Sequence, residues 1–326
     1  MFNTGKRLIL AVITALQLGA GLPATAQGLR AEKVIDGGEV MTYSLDENRT
    51  QSVAAWRLPA GDRKAIVLSV HGFGLDKCAY KAFAERMLQY GVETYAIDLR
   101  GFGSWLSAGR PDRRLDLSRS VEDIRSALTA LKAANPDTPI FILGESMGGA
   151  VALRVASQYP ELVAGVISSV PAADRYKKKR TALKIALRTL LGKGSHIPIG
   201  KEIVSQATTD ERLAHEWSSD PNARLTASIG ELLQFSRFMA ENHRVARSMN
   251  SMPVLMVQGA RDRLVRPSGT IRLYRELPTR DKQLMVLKSA EHLIFEEGQF
   301  SDSVVQQVSN WIDTHVRSGA IATTNS

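Results

Sequence analysis

The chain has 326 residues, 44% hydrophobic and 23% charged, with 25 Gly, 12 Pro and one Cys. This composition belongs to a globular protein and excludes collagen-like, disulfide-framework and wholly disordered classes, while the length fits one large α/β core or two small domains. The formal charge is +9, and the lone Cys78 permits neither an intrachain disulfide nor a cysteine-cluster metal site.

Lys6 and Arg7 precede an apolar stretch from Leu8 to Leu18, and Ala24-Thr25-Ala26 places small residues before Gln27. Residues 1–26 therefore read as a secretory signal. An uncleaved membrane anchor is the alternative, but the apolar stretch is shorter than the roughly 20 residues a spanning helix needs. No Cys follows the stretch to carry a lipid, so the mature chain is expected to be exported, to a periplasm or to the medium.

Residues 27–170 carry the first part of a core. Met41 to Tyr43 and Val53 to Trp56 predict an antiparallel hairpin at one edge. Apolar, β-prone runs at Ile66 to Val70, Thr94 to Asp98, Ile140 to Leu143 and Val163 to Ser168 predict buried strands. Helical spacing covers Lys81 to Tyr90, Ser120 to Ala134 and Ala150 to Gln158 between them. The alternation resumes over 251–318, with strands at Val254 to Gln258 and Gln283 to Leu287 and helices at Ser268 to Leu277 and Ser303 to Val316. Such alternation predicts an α/β fold with a mostly parallel central sheet and helices on both faces. Residues 319–326 read as a polar tail.

From Pro171 to about Asn250 no strand is evident and helical patterns dominate. A second independent domain is one reading of this interval. Both of its ends join core strands, which favours a helical cap, 171–250, inserted over one end of the sheet.

The charge is concentrated in this interval. Arg175, Lys177, Lys178, Lys179, Arg180, Lys184, Arg188 and Lys193 occur with no acidic residue among them. Without that segment and the two basic residues of the leader, the chain would sum to −1. Leu183, Ile185, Leu187, Leu190 and Leu191 recur at roughly helical spacing, giving an amphipathic helix with a basic rim. Such a helix is either a solvated face packed on its own domain or a contact for an anionic membrane surface. Only Tyr176 interleaves with the basic residues and no nucleic-acid module is legible, so nucleic acid is not an expected partner.

The chemistry lies at strand ends. Ile140 to Leu143 runs into Gly144-Glu145-Ser146-Met147-Gly148-Gly149 and then a helix, which is G-x-S-x-G in the strand, turn and helix context that gives the motif meaning. Ser146 is the expected nucleophile. A serine hydroxyl needs a base, and His292, in Ser289-Ala290-Glu291-His292-Leu293 just after the last strand, is placed to swing over the sheet. Of the other histidines, His71 opens a glycine loop, His196, His215 and His243 fall in the cap, and His315 lies on the last helix. The orienting acid is expected at a strand end between nucleophile and base, where Asp262 follows Val254 to Gln258. Asp98 also ends a strand, but it precedes Ser146 and is expected to pin neighbouring loops. Backbone N–H groups should stabilise the oxyanion: Met147, next to the nucleophile, and Phe73, in His71-Gly72-Phe73-Gly74. Cys78, just past that loop, is expected as buried packing.

Together with Tyr80 and Asp98-Leu99-Arg100-Gly101-Phe102-Gly103, these motifs resemble the α/β-hydrolase superfamily, and within it the monoacylglycerol lipase and lysophospholipase group that includes serine aminopeptidase-like hydrolases. The resemblance covers roughly 65–168 and 253–316 and leaves the cap unmatched. It implies the roles already assigned: Ser146 nucleophile, Asp262 acid, His292 base, Phe73 and Met147 oxyanion donors, with no metal or organic cofactor. The chain departs from the group at three places. Leu75 and Asp76 stand where Glu-His usually follows the glycine loop, Glu145 replaces the usual His before the nucleophile, and Trp105 replaces a common serine, with Ser104 one place early. Haloalkane dehalogenase chemistry is disfavoured because it uses aspartate where Ser146 stands.

The expected activity is therefore that of an exported serine hydrolase acting on carboxylic esters of lipid type, lysophospholipid or monoacylglycerol. An amide or peptide hydrolase on the same triad is the alternative, marked by an acidic cap pocket for a substrate amine. A non-catalytic surface-binding protein is the other, marked by a lost triad member. The motifs encode neither acyl chain length, head group nor oligomeric state.

Overall fold

The computed structural model describes residues 30–35, 38–46, 49–59, 61–107, 113–171, 174 and 196–324. The expected secretory segment, 1–26, and the basic stretch Arg175 to Lys193 lie outside the described residues.

Among the described residues nine strands form one sheet. In chain order they are β1 (Arg30–Ile35), β2 (Gly38–Asp46), β3 (Arg49–Trp56), β4 (Ala65–Val70), β5 (Val92–Ile97), β6 (Ile140–Glu145), β7 (Gly165–Ser169), β10 (Val254–Gly259) and β11 (Lys282–Leu287), with β8 (His196–Pro198) and β9 (Thr226–Ser228) lying outside this sheet. Their spatial order is β1-β2-β3-β5-β4-β6-β7-β10-β11. From β5 to β11 every neighbouring pair is parallel, while β1, β2 and β3 form an antiparallel meander that joins through β3 to β5. The meander has one strand more than the single hairpin expected. Arg-Ala-Glu-Lys-Val-Ile lacks an apolar run, and its backbone pairing with β2 leaves no mark in the sequence.

Every residue of β4, β5, β6, β7 and β10 is buried, as continuous apolar runs require when both faces of a parallel sheet are covered. Alternation divides them between two cores. Ile66, Leu68, Val70, Ile142 and Met256 pack with α2 (Leu117–Ala134), α3 (Met147–Gln158) and α8 (Pro267–Glu276). Val67, Leu143 and Val257 pack with α1 (Lys81–Leu88) and α9 (Asp302–Thr324) on the other face. Each fully buried Leu or Ile contributes about 1.5–3 kcal/mol. Helix α9 continues to Thr324, so most of the segment read as a polar tail is helical; Ala320, Ile321 and Ala322 suit a helix. Among the described residues no helix is long and apolar enough to cross a membrane.

The strand order places the site. The chain passes from β4 to β5 on one side and then returns to β6 on the other, so the loops leaving β4 and β6 diverge and open a crevice at their carboxyl ends. At this end α3 lies unusually close to the sheet: a methyl group on Gly148 would stand 2.0 Å from the Val70 carbonyl oxygen.

Between β7 and β10 the described chain forms β8 (His196–Pro198), α4 (Gly200–Ala207), α5 (Glu211–Ser219), β9 (Thr226–Ser228), α6 (Ile229–Ala240) and α7 (Asn242–Ser248). The expectation of no strand here is corrected by the antiparallel pair β8 and β9. Three residues each are too few to show an alternating pattern. Helix α6 starts with a capping box, Ser228 with Glu231. Glu231, 5% exposed, also accepts from Leu115 N (2.8 Å) and Arg224 Nη2 (2.7 Å), while Arg224 Nη1 donates to Gly101 O (3.1 Å). One acid thus ends a helix and ties the insertion to two core loops.

Asp98, at the end of β5, ties the β4 and β5 loops in the same way. Its Oδ1 accepts from Lys77 N (2.8 Å), and its Oδ2 from Lys77 Nζ (2.7 Å) and Ser104 N (2.8 Å). Burial alone would raise this carboxyl; the Lys77 ammonium and the donated hydrogen bonds outweigh it and hold it below the usual range.

Two outcomes test this framework. Gly148→Ala should cost about 3 kcal/mol, the upper end for overpacking, because its new methyl meets backbone rather than a yielding side chain; an unchanged melting temperature would contradict the close approach. Asp98→Ala should cost about 3–5 kcal/mol in urea unfolding by stranding a buried ammonium. Because the Asp98 carboxyl is lowered on folding, its contribution in the wild type is present above its unfolded value and lost as pH falls through the folded one, so the gap between wild type and variant should narrow in acid.

Candidate active site

Strand β6 ends at Glu145 and α3 begins at Met147, so Ser146 alone makes the turn. It does so at φ 57° and ψ −114°, in a region that strains a residue carrying a side chain. Its N–H donates to Ser169 O (2.9 Å) and its carbonyl accepts from Ala150 N (3.2 Å). The turn closes this tightly only because Gly144 lacks a side chain: a methyl there would lie 2.1 Å from Gly148 O. The hydroxyl is thereby raised above the sheet.

His292 and Asp262 reach it from two other strand ends. His292 Nε2 lies 2.9 Å from Ser146 Oγ, and His292 Nδ1 lies 2.8 Å from Asp262 Oδ2. Asp262 is itself fixed, its Oδ1 accepting from the Leu264 and Val265 amides at 2.8 Å each. With a carboxylate at Nδ1, that nitrogen carries the proton, which leaves Nε2 to accept from the serine hydroxyl. Ser146, Asp262 and His292 are 8%, 3% and 2% exposed, so the line of bonds is shielded from competing water.

Of the two residues named from sequence for their amides, Phe73 lines the same cavity as Ser146 and Met147 follows it in the chain. Gly72 and Phe73 line the cavity that also contains Ser146, and a methyl on Gly72 would be 3.6 Å from Ser146 Cβ. Met147, fully buried, is the first residue of α3, where helix amides lack intrahelical acceptors. Three of the other histidines are engaged elsewhere. His71 Nε2 accepts from Leu99 N (3.0 Å) and its Nδ1 faces Gly72 O (2.8 Å), while His243 and His315 face Glu276 and Asp281. Burial lowers the His71 pKa, in keeping with a neutral ring.

The cavity over Ser146 is mostly apolar, walled by Leu75, Leu264, Val265 and Leu293 of the core and by Ile199, Ile203, Trp217, Leu232 and Phe235 of the insertion. Glu202 and Gln206 add polar groups one turn apart on α4, and Gln206 Oε1 is buried without a hydrogen-bond partner. The insertion is bonded to the loops around the serine. Trp217 Nε1 and Arg224 N donate to Gly74 O (3.3 and 3.2 Å) in the β4 loop. On the other side His292 N donates to Ala207 O (3.1 Å), and Thr209 Oγ1 donates to Glu291 Oε1 (2.9 Å).

Sequence reasoning missed Glu202 and Gln206. Their signal was the i, i+3, i+4, i+7 face of Ile199, Glu202, Ile203 and Gln206, an apolar stripe interrupted by polar residues. It also misplaced Cys78, which is exposed rather than buried, because the 3₁₀ turn Lys77–Tyr80 directs Lys77 and Tyr80 inward. Glu145 stood out only as a departure from the family pattern; its side chain is buried behind the serine.

The Hydrolase_4 family, described as "Serine aminopeptidase, S33", matches residues 61–299. The chain is 28% identical over 263 residues to a monoacylglycerol lipase of Mycolicibacterium smegmatis, covering 79% of this chain and 91% of that protein. It is 26% identical over 275 residues to the monoglyceride lipase of Homo sapiens, covering 82% and 88%. Among solved structures, the monoacylglycerol lipase of Paleococcus ferrophilus superposes with a TM-score of 0.67 at 25% identity, over 81% of this chain and 98% of that one. The chain is therefore an α/β-hydrolase of the Hydrolase_4 family, within its monoacylglycerol lipase-like group.

Proposed function

We propose that this protein is a serine hydrolase that cleaves carboxylic esters of lipid type, monoacylglycerol or lysophospholipid, by an acyl-enzyme route. The observation that carries the reading is the bonded line Ser146, His292, Asp262, with separations of 2.9 and 2.8 Å, at the floor of an apolar cavity. Ser146 Oγ attacks the ester carbonyl carbon while His292 Nε2 takes its proton. Asp262 holds the ring in the required tautomer and supports its positive charge. The tetrahedral oxyanion is met by the Phe73 and Met147 amides. When the intermediate collapses, His292 gives its proton to the leaving alcohol; the same base then activates water, and deacylation releases the acid and restores Ser146.

The lining of the cavity supports a lipid substrate. An acyl chain gains about 0.8 kcal/mol per buried methylene against such walls. Gln206 Oε1 is an acceptor without a donor, suited to a hydroxyl of the alcohol portion. One observation favours amide cleavage as a second reading: Glu202, a carboxylate, lies in the cavity lining where a substrate amine could be held. The leader pattern of residues 1–26 supports export, and the basic run Arg175 to Lys193 supports recruitment to an anionic membrane surface.

Hydrolysis of p-nitrophenyl esters from acetate to palmitate is expected from the wild type, with an optimum at a long or medium chain. Ser146→Ala should lower kcat by roughly 10⁴-fold or more. Full activity in that variant would overturn the catalytic reading, and faster cleavage of aminoacyl p-nitroanilides than of any ester would favour the amide one. Sedimentation with liposomes should show binding to anionic but not neutral vesicles at low salt, lost when Lys177, Lys178 and Lys179 are changed to Ala. Equal binding to both vesicle types would refute recruitment by charge.

A further inference from the structure

His71 is a buried imidazole, 1% exposed, that the mechanism above does not use. Both of its ring nitrogens are bonded. Nε2 lies 3.0 Å from the amide nitrogen of Leu99, in the loop after β5, and a backbone N–H only donates, so Nε2 is the bare nitrogen of the ring. The single ring hydrogen is therefore on Nδ1, which lies 2.8 Å from the carbonyl oxygen of Gly72 and donates to it. These two bonds together fix the tautomer, the orientation of the ring and the carbonyl it holds.

The Gly72 carbonyl belongs to the peptide unit whose other end is the N–H of Phe73. A trans peptide is planar and its carbonyl and N–H point in opposite directions, so a bond that holds one aims the other. Packing does not hold this plane. Gly72 has no side chain, and a methyl there would meet nothing closer than Glu145 O at 3.5 Å. Besides His71, the carbonyl accepts only a longer bond from Leu75 N, at 3.3 Å. The Phe73 ring is held separately, edge-on to Phe102 and Phe235 with centroids 5.1 and 5.8 Å away. The backbone of His71 in turn lies against the nucleophile helix, since a methyl on Gly148 would stand 2.6 Å from His71 O.

We propose that His71 is a positioning residue for the oxyanion donor: by holding the Gly72 carbonyl, it aims the Phe73 N–H into the cavity over Ser146. The ring does not touch substrate and acts only through the peptide plane. Without the bond from Nδ1, rotation about the glycine torsions carries the N–H away from the developing charge. A donor fixed beforehand needs no reorientation when the carbonyl oxygen becomes negative. The two nitrogens divide the work, Nε2 bracing the ring on the β5 loop and Nδ1 holding the peptide. The proposal rests on the Ser146 and Phe73 roles proposed above and adds the group that holds the second of them.

This division allows a test in which two variants each lose one buried bond. An asparagine amide nitrogen stands as many bonds from Cα as Nδ1, so His71→Asn keeps the donor to Gly72 O and loses the bond from Leu99. A glutamine amide ends at the reach of Nε2, so His71→Gln keeps an acceptor for Leu99 N and loses the donor. Deleting an oxyanion donor costs roughly 10²–10³-fold in kcat, and misaiming one costs less. On a p-nitrophenyl ester His71→Gln should therefore lower kcat about 30-fold with KM within about twofold, while His71→Asn stays within about fivefold of wild type. A trifluoromethyl ketone, whose carbonyl carbon Ser146 Oγ attacks to form a bound oxyanion, should lose affinity in His71→Gln by a similar factor; the matching carbinol, with no carbonyl to attack, should bind all three proteins alike. Equal kcat in the two variants, or undiminished ketone affinity in His71→Gln, would overturn the positioning role. Nitrogen-15 NMR of the wild type needs no variant and no turnover: a protonated Nδ1 and a bare Nε2 are expected on His71, and the opposite tautomer would also overturn it. With Ser146→Ala inactive, those failures concern His71 alone, whereas an active Ser146→Ala would remove the catalytic reading and this role with it.

Discussion

Ser146 adopts a left-handed backbone while carrying a side chain, at a cost of about 1–3 kcal/mol, and the surroundings must hold it there. The restraint comes from backbone against backbone. Gly144 and Gly148 let β6, α3 and β4 approach to distances that a single methyl would forbid, and the Ser146 amide is fixed to Ser169 O on the neighbouring strand. None of these contacts depends on a flexible side chain. A rigid turn is what keeps the Ser146 hydroxyl at hydrogen-bonding distance from His292, whose own position is set three strands away.

The remaining groups arrive because of the order in which the strands are laid down. The chain reverses its direction of travel between β5 and β6, which brings the glycine loop after β4 beside the serine turn, while β7, β10 and β11 continue outward and deliver Asp262 and His292 in sequence. Polar residues then lock the loops. Asp98 joins two of them through Lys77 and Ser104, Asp262 is held by two amides, and Glu231 fastens the insertion. Each of these three buried carboxyl groups has more than one partner, as desolvation demands.

The parts of this arrangement that depend on local spacing were legible in the sequence. The core strands could be read because burial on both faces leaves an unbroken apolar run, and Ser146, Asp262 and His292 because each follows such a run in a fixed chain order. Asp98 could be assigned to loop pinning from its place before the nucleophile. What could not be read depends on pairing or on depth. Strands β1, β8 and β9 are made by backbone partners distant in sequence or are too short to alternate. The exposure of Cys78 follows from the direction of one 3₁₀ turn. Glu145 is buried behind the serine turn, and a glutamate carries no mark in a sequence to show that it lies in the interior.

The amide of His292 donates to the carbonyl of Ala207 at the end of α4, a helix that also presents Ile203 and Gln206 to the cavity. The same eight-residue helix therefore lines the cavity and helps hold His292. In this fold the wall of the cavity and the support of His292 are not separable modules. A graft that replaced the insertion would also remove one of the supports of His292, unless it returned a carbonyl oxygen to the same point in space.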